Sequence, residues 1–345
     1  MEFGFEPVCD QLRAGSSYLD MHGRHAWYPM FVVQILLIDV EHSQLVTCGT
    51  VFQGTCQSRN FANISVTQVD VVINRNEQFV ASTDQSHLAV ALVAPGPDNN
   101  VHLYVGTDDQ PSTSLYDYRQ YTCGVTRRLL TGSDIFQIRI DGSGDEKRGP
   151  FARLTEAAAM STDFLVKYVA GFTVEQFSYF LTNQPSVYPL SSSTPRVSKL
   201  SQVCHQDKYF ESYVEMPIVC RSGVKDYNLV QAATVVEAGS RLASRLGLTA
   251  SSHLLVAVFY DQSDSAVCVY RLSDIRSRFK DNIQACFNPP TTTVPLGSQF
   301  SSRNCTANTQ VSPGQTIDIV SDYHVLMKKL SNAHFVSLLG CVCVT

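Results

Sequence analysis

Charge is scarce in this chain. Asp, Glu, Lys and Arg make up 17% of its 345 residues, against roughly 25% in ordinary soluble proteins. The net charge is -5, with 26 basic and 31 acidic residues. Recognition of a phosphate backbone needs clustered Lys and Arg. The pairs Arg127-Arg128 and Lys328-Lys329 are too short to make such a face, which excludes nucleic acid as a partner. Metal-binding spacings are also missing: none of the nine histidines falls in a His-x-x-x-His or His-Glu-x-x-His pattern. No leader opens the chain, because Met1 to Gly15 carries Glu2, Glu6 and Asp10 where a basic start and an apolar run are required. The apolar stretch His334 to Thr345 is shorter than the roughly 20 residues of a membrane helix. No repeat of fixed period is visible.

What is present points to β-structure held by disulfides. Eleven cysteines sit among abundant Val, Ser and Thr, a usage that favours an oxidising compartment. The odd count leaves at least one thiol unpaired or paired outside this sequence. Short segments rich in Val, Ile, Leu and aromatics predict strands at Phe31–Val40, Ile64–Ile73, Leu88–Val93, Leu103–Val105, Phe136–Ile140, Phe164–Val169, Phe177–Leu181, Leu229–Val236, Leu254–Tyr260 and Val267–Leu272. Polar or Gly/Pro turns separate them, as at Pro95-Gly96-Pro97 and Gly142-Ser143-Gly144. Several are apolar throughout, as in strands sandwiched between neighbouring sheets, an environment that radially stacked blades create. Helical spacing marks Glu237–Leu246, with Gly247 as its stop, and Ser273–Ala285, where Ile275, Phe279 and Ile283 share a face. Phe151–Met160 also reads as helix locally through its Ala run.

The candidates for chemistry weaken when weighed. Cys48 and Cys56 flank a Gly-containing turn, which suits a local disulfide better than a metal pair, since no His or second Cys pair stands nearby. Cys204 beside His205 is the one pair with the make-up of a nucleophile and its base. Asp141, Asp145 and Glu146 surround a Gly/Ser turn and read as solvated acids. Asn63-Ile64-Ser65 and Asn304-Cys305-Thr306 are glycosylation sequons, placing Asn63 and Asn304 as candidate acceptors.

Longer strings carry a family resemblance. LLIDVEHSQLVTCGTVFQGTCQ (Leu36 to Gln57), LAVALVAPGPDNNVHLYVGT (Leu88 to Thr107) and KYVAGFTVEQFSYFLTNQ (Lys167 to Gln184) come first. KLSQVCHQDKYFESYVEMPIVC (from Lys199), YNLVQAATVVEAGSRLASRLGL and SAVCVYRLSDIRSRFKDNIQACF (to Phe287) follow in the same order. The chain resembles a sema domain of the plexin type. The resemblance implies an all-β fold, a partial sema-type seven-bladed β-propeller with a short helical excursion from Ser273. It divides the chain into a poorly matched N-terminal edge (1–29), the partial propeller (30–310) and a divergent tail (311–345), and it makes Phe151–Met160 loop or strand. It pairs Cys220 with Cys268, and Cys286 with Cys305, and sends Cys204 to a partner further along the chain. Its cysteine register makes catalysis at Cys204 an unfavoured reading. It places Tyr116, Tyr118, Arg119 and Tyr121, residue types enriched at interface hot spots, in a loop near the ligand-facing side. Tyrosines packed on their own blade are the bland alternative.

The expectation is therefore an extracellular recognition domain of a plexin-like semaphorin receptor, acting in cell-surface signalling such as axon guidance. It would be no enzyme and need no cofactor or metal. Its partners would be a semaphorin-like protein and a co-receptor, with the membrane reached only through parts of the receptor outside this sequence. An absent leader then implies an incomplete sequence. Two alternatives stand beside this one: a sema domain of the hepatocyte growth factor receptor family, and a propeller scaffold or enzyme. FSYFLT and SYVEMP look more like the receptors than like a semaphorin.

Overall fold

The computed structural model describes residues 18–19, 25–26, 32–50, 54–69, 80–82, 87–98, 100–107, 124–141, 149–154, 163–186, 190–210, 212–223, 225–262, 264–287 and 342–344. Two compact units divide the chain, Met1–Ala89 and Val90–Thr345.

The first unit holds a hairpin, β1 (Tyr18–Leu19) and β2 (His25–Ala26), and a four-stranded sheet. That sheet runs in chain order through β3 (Val33–Asp39), β4 (Gln44–Gly49), β5 (Cys56–Asn60) and β6 (Thr67–Val69). Asp39 ends β3 fully buried and organises the turn. Its carboxylate accepts from Glu41 N (3.1 Å), His42 N (3.3 Å), Gln44 Nε2 (2.8 Å) and His42 Nδ1 (2.6 Å). Burial alone would raise its pKa, but the hydrogen bonds from Gln44 and His42 outweigh that and hold it below the usual value. Cys48 and Cys56 are direct cross-strand partners 4.0 Å apart at Cα, and they are disulfide-bonded. Gly54 in the turn between them has φ +74°, and a Cβ there would lie 1.8 Å from the Ala81 carbonyl oxygen, so only glycine fits.

The second unit repeats the four-strand pattern. One sheet contains β7 (Ala89–Pro95), β8 (Val101–Thr107), β9 (Gly124–Leu129) and β10 (Phe151–Arg153), and the next β11 (Lys167–Val174), β12 (Phe177–Pro185), β13 (Arg196–Cys204) and β14 (Val214–Pro217). A small hairpin, β15 (Cys220–Ser222) and β16 (Lys225–Tyr227), leads into β17 (Leu229–Glu237), helix α1 (Gly239–Leu246), β18 (His253–Asp261), β19 (Asp264–Arg271) and helix α2 (Leu272–Phe287). Backbone pairing of β20 (Val342–Val344) along β19 supplies the fourth strand of the last sheet. The tail thus contributes a strand, although nothing in its composition announced one.

The repeat missing from the sequence is present in the backbone. β3, β11 and β17, each the first strand of its sheet, shift register after their first or second paired residue, between Val33 and Ile35, Tyr168 and Ala170, and Val230 and Ala232. Such a bulge bends the strand and increases its twist. At β17 the neighbouring sheet exploits it. Asn183 on β12 donates from Nδ2 to the Val230 carbonyl (2.7 Å) and accepts from Val230 N at Oδ1 (3.1 Å), while Ser198 Oγ also accepts from Val230 N (2.7 Å).

Around that clasp lies an apolar core. Tyr179, Leu181, Leu200, Val214 and Met216 from the β11–β14 sheet meet Val230, Leu255, Ala257 and Phe259, with Leu272, Ile275 and Phe279 closing over them. The α2 residues stand at i, i+3 and i+7, one face of a helix. Cys220 and Cys268 are disulfide-bonded inside this core, tying the small hairpin to β19. Gly247 terminates α1 in the left-handed region at φ 64°.

Three strand expectations need correction. Phe136–Ile140 is not a strand: Phe136 has φ 66°, its N–H returns to the Leu129 carbonyl (2.8 Å), and buried Arg128 donates to its carbonyl (3.0 Å). Of Ile64–Ile73 only Thr67–Val69 pairs as strand, and 70–73 lie outside the described residues. Phe164 to Val166 precede β11, which begins at Lys167. Phe151–Arg153 is a strand, while 155–162 lie outside the described residues.

Candidate interaction surface

Tyr116, Tyr118, Arg119 and Tyr121 fall between β8 and β9 and outside the described residues; Asn304 and Cys305, which follow α2, also lie outside them. Cys286 falls in α2, in the stretch whose side chains are not described. Asn63 is exposed in the β5–β6 connection. The connection holding the tyrosines leaves the sheet at Thr107 and re-enters it at Gly124, which are cross-strand partners.

At the opposite end of the same sheet, beside the β7–β8 turn, a cleft of about 230 Å³ is lined by Pro97, Asp98, His102, Arg127, Arg139 and Lys208, among others. Its centre is Arg127, 3% exposed. Arg127 donates to the carbonyls of His205 (3.3 Å), Asp207 (2.8 Å) and Lys208 (3.1 Å), reaching from β9 to the β13–β14 connection. Its guanidinium stands over the rings of Phe210 and Tyr104, 5.2 and 5.8 Å from their centroids. Burial pushes the Tyr104 hydroxyl up to about 12, and that hydroxyl donates to the Pro95 carbonyl at 2.7 Å.

The β13–β14 connection is held from within as well. Asp207 accepts from Tyr209 N (3.0 Å) and Ser212 N (2.5 Å), and Ser212 Oγ accepts from Cys204 N (3.0 Å). On its outer side Lys208 Nζ (2.6 Å) and Tyr209 OH (2.8 Å) both meet Asp141. The acid read as solvated is therefore a bracket between two connections. No local signal could have shown it, because its partners lie far along the chain.

Cys204 and His205 do not form a nucleophile and base. Cys204 ends β13 and His205 opens the turn that follows it. His205 Nε2 lies 3.0 Å from Ser178 Oγ and 3.1 Å from Thr173 Oγ1. Burial, with the Arg127 charge, lowers the His205 pKa to about 4, while burial raises that of the Cys204 thiol. A reactive thiolate needs the reverse shifts. Cys204 is unbonded among the described cysteines, and no group of acids, histidines and cysteines with metal-binding geometry occurs among the described residues. Nor is any described helix long and apolar enough to cross a membrane.

The Sema domain family profile matches residues 230–338, from the start of β17 onward. Plexin-A4 of Mus musculus is 28% identical over 276 residues, 74% of this chain and 14% of that protein. Plexin-A2 of Homo sapiens is 22% identical over 287 residues with the same coverage. A solved structure of the full extracellular region of plexin A4 superimposes with a TM-score of 0.68 at 25% identity, covering 87% of this chain and 34% of that one. The chain thus spans about one-seventh of the length of the curated relatives it matches. Four-stranded sheets with a recurrent first-strand bulge, the helix that follows β19 and the likeness to the plexin A4 extracellular region give the chain an all-β, partial sema-type propeller fold, similar to the sema domains of plexins.

Proposed function

We propose that this chain is the ligand-recognition domain of a plexin-like cell-surface receptor, exposed on the extracellular side of the plasma membrane and binding a semaphorin-type protein without turning over any substrate. The likeness to the plexin A4 extracellular region carries this reading. The lowered His205 and raised Cys204 pKa values support binding over catalysis at the one pair with the make-up of a nucleophile and base.

The ligand is met at the tyrosine-rich end of the β7–β10 sheet, through Tyr116, Tyr118, Arg119 and Tyr121. The other end supports that choice by what it has already used. Arg127 is engaged by three carbonyls, and Lys208 and Tyr209 converge on Asp141, so the cleft there braces two sheets. A co-receptor would dock elsewhere on the ectodomain.

Surface plasmon resonance of the receptor's complete extracellular region against a panel of semaphorin ectodomains tests this. Saturable binding to at least one is expected. Tyr118→Ala with Arg119→Ala weakens it by about 1 to 3 kcal/mol if these are hot spots, while Lys208→Glu leaves affinity within about twofold, a difference of roughly 0.4 kcal/mol. No saturable binding to any semaphorin would overturn the receptor reading, whereas the opposite ranking of the variants would move the interface to the cleft.

A further inference from the structure

The β5–β6 connection leaves apolar surface in water. Phe61, Ile64 and Val66 are 49%, 45% and 49% exposed, and Val40 on the adjacent β3–β4 turn is 81% exposed. The two turns are tied together by Phe61 N donating to the Ser43 carbonyl at 2.9 Å. Asn63 stands in the middle of this tip with Ser65 two residues on, and both are exposed. The connection is well ordered by its own hydrogen bonds. Asn60 Oδ1 accepts from Ala62 N (2.9 Å) and Asn63 N (3.0 Å), Val66 N donates to the Asn63 carbonyl (2.9 Å), and Ser65 N donates to Asn63 Oδ1 (3.1 Å). Asn63 is thus held through its oxygen, and its Nδ2 has no partner among the described residues.

We propose that Asn63 carries an N-linked glycan whose first sugar lies over the Phe61 ring and covers the apolar tip. One face of a pyranose is a row of C–H groups, the complement of an aromatic ring's negative face. Phe61 is two residues before the acceptor on the same short turn. A sugar laid across Phe61 toward Ile64 and Val66 withdraws apolar area from water without any protein partner. The attachment is a group transfer from a lipid-linked oligosaccharide diphosphate. The Asn63 Nδ2–C1 bond forms as the C1–O bond to the diphosphate breaks, the diphosphate leaves with the bonding pair, and the amide gives up one proton.

The inference rests on the extracellular placement proposed above, and its test is arranged to fail separately. The full chain is expressed behind a heterologous secretory leader in mammalian cells, in an Asn304→Gln background, and Asn63 occupancy is read by peptide mass after enzymatic deglycosylation in ¹⁸O water. Both intracellular and secreted pools are measured, since transfer precedes export. The leader forces entry to the secretory pathway whatever the natural location, so an unmodified Asn63 overturns this proposal and leaves the receptor reading untouched. Occupied Asn63 is expected, abolished by Ser65→Ala. Enzymatic removal of the glycan from folded protein is expected to lower Tm by about 2 °C and to raise binding of a hydrophobic dye. Phe61→Ala, which keeps the sequon, should erase most of that Tm difference. An occupied site whose removal changes neither Tm nor dye binding overturns the covering role.

Discussion

The two faces of the β11–β14 sheet are built differently, one apolar throughout and one mixing apolar with buried polar residues, although the same strands supply both. Toward β17–β20 the alternate residues Tyr179, Leu181, Leu200, Val214 and Met216 enter one continuous apolar core. On the other face the same strands present Ser178, Thr182, Gln184, Lys199, Ser201 and Glu215, all buried, interleaved with Phe180 and Val203, which join a second apolar cluster. Lys199 Nζ and Glu215 Oε2 are 3.3 Å apart, Gln184 Nε2 donates to both Glu215 oxygens (3.2 and 3.3 Å), and Tyr213 OH donates to Oε1 (3.0 Å). Burial, then the Glu215 charge, pushes the Tyr213 hydroxyl well above its usual pKa, so it stays a donor. Apolar packing tolerates small errors of position, whereas a buried polar cluster demands that every member be present. Both faces adhere through apolar packing, and the polar cluster adds alignment to one of them.

Removing one member of the polar cluster is the sharpest way to break this contrast. Glu215→Leu takes away the carboxylate on which Lys199, Gln184 and Tyr213 converge, and should cost about 3 to 5 kcal/mol. Lys199→Met combined with Glu215→Leu should recover more than half of that loss, because neither charge is then buried alone. Chemical denaturation of the two variants checks it. Equal destabilisation of single and double variants would show that this face holds by shape, as the other does.

The apolar face should answer differently. Leu181→Ala leaves a cavity in a fully buried site and should cost about 3 kcal/mol. A second substitution of its neighbour, Leu200→Ala, should add to this loss with no rescue. Recovery in the double variant would erase the distinction between the faces.

The same contrast explains what could be read from the sequence. β12, β17 and β18 were legible because their apolar residues run together, and α2 because Ile275, Phe279 and Ile283 recur at helical spacing; Ile275 and Phe279 enter the core, joined by Leu272, which the sequence pattern assigns to the preceding strand. β13 was not, although it is a central strand nine residues long. Its stretch Arg196–Cys204 alternates Leu200 with Lys199 and Ser201, and a buried Lys reads as solvated until its Glu is placed on the next strand. β9 failed for a similar reason: Arg127-Arg128 looked like surface charge, yet both are buried, Arg127 on carbonyls of the next sheet and Arg128 on Thr126 and Phe136. Phe136–Ile140 was overread because its apolar residues suited a strand, when Arg128 holds the backbone in a turn. For the recognition surface, the resemblance pointed to the tyrosine segment, whereas the cleft at the opposite end depended on contacts such as Tyr209 to Asp141 that no local pattern records.

The smallest expected effect lies at the edge of the polar face, where His205 is 3% exposed between Ser178 and Thr173. Its folded pKa of about 4 lies below the unfolded value of 6.5. Between these values the unfolded chain binds the extra proton, so stability rises with pH through the window. The contribution is fully present above pH 6.5 and is lost progressively as pH falls toward 4. His102, whose pKa burial also lowers, contributes in the same direction. The comparison that isolates His205 is therefore the wild-type curve minus that of His205→Gln, which retains a polar end but does not titrate. Denaturation midpoints measured from pH 7.5 to pH 4.5 should converge for the two proteins as pH falls. Parallel curves would mean that the imidazole is protonated in the folded protein and that the polar face carries a charge it was built to exclude.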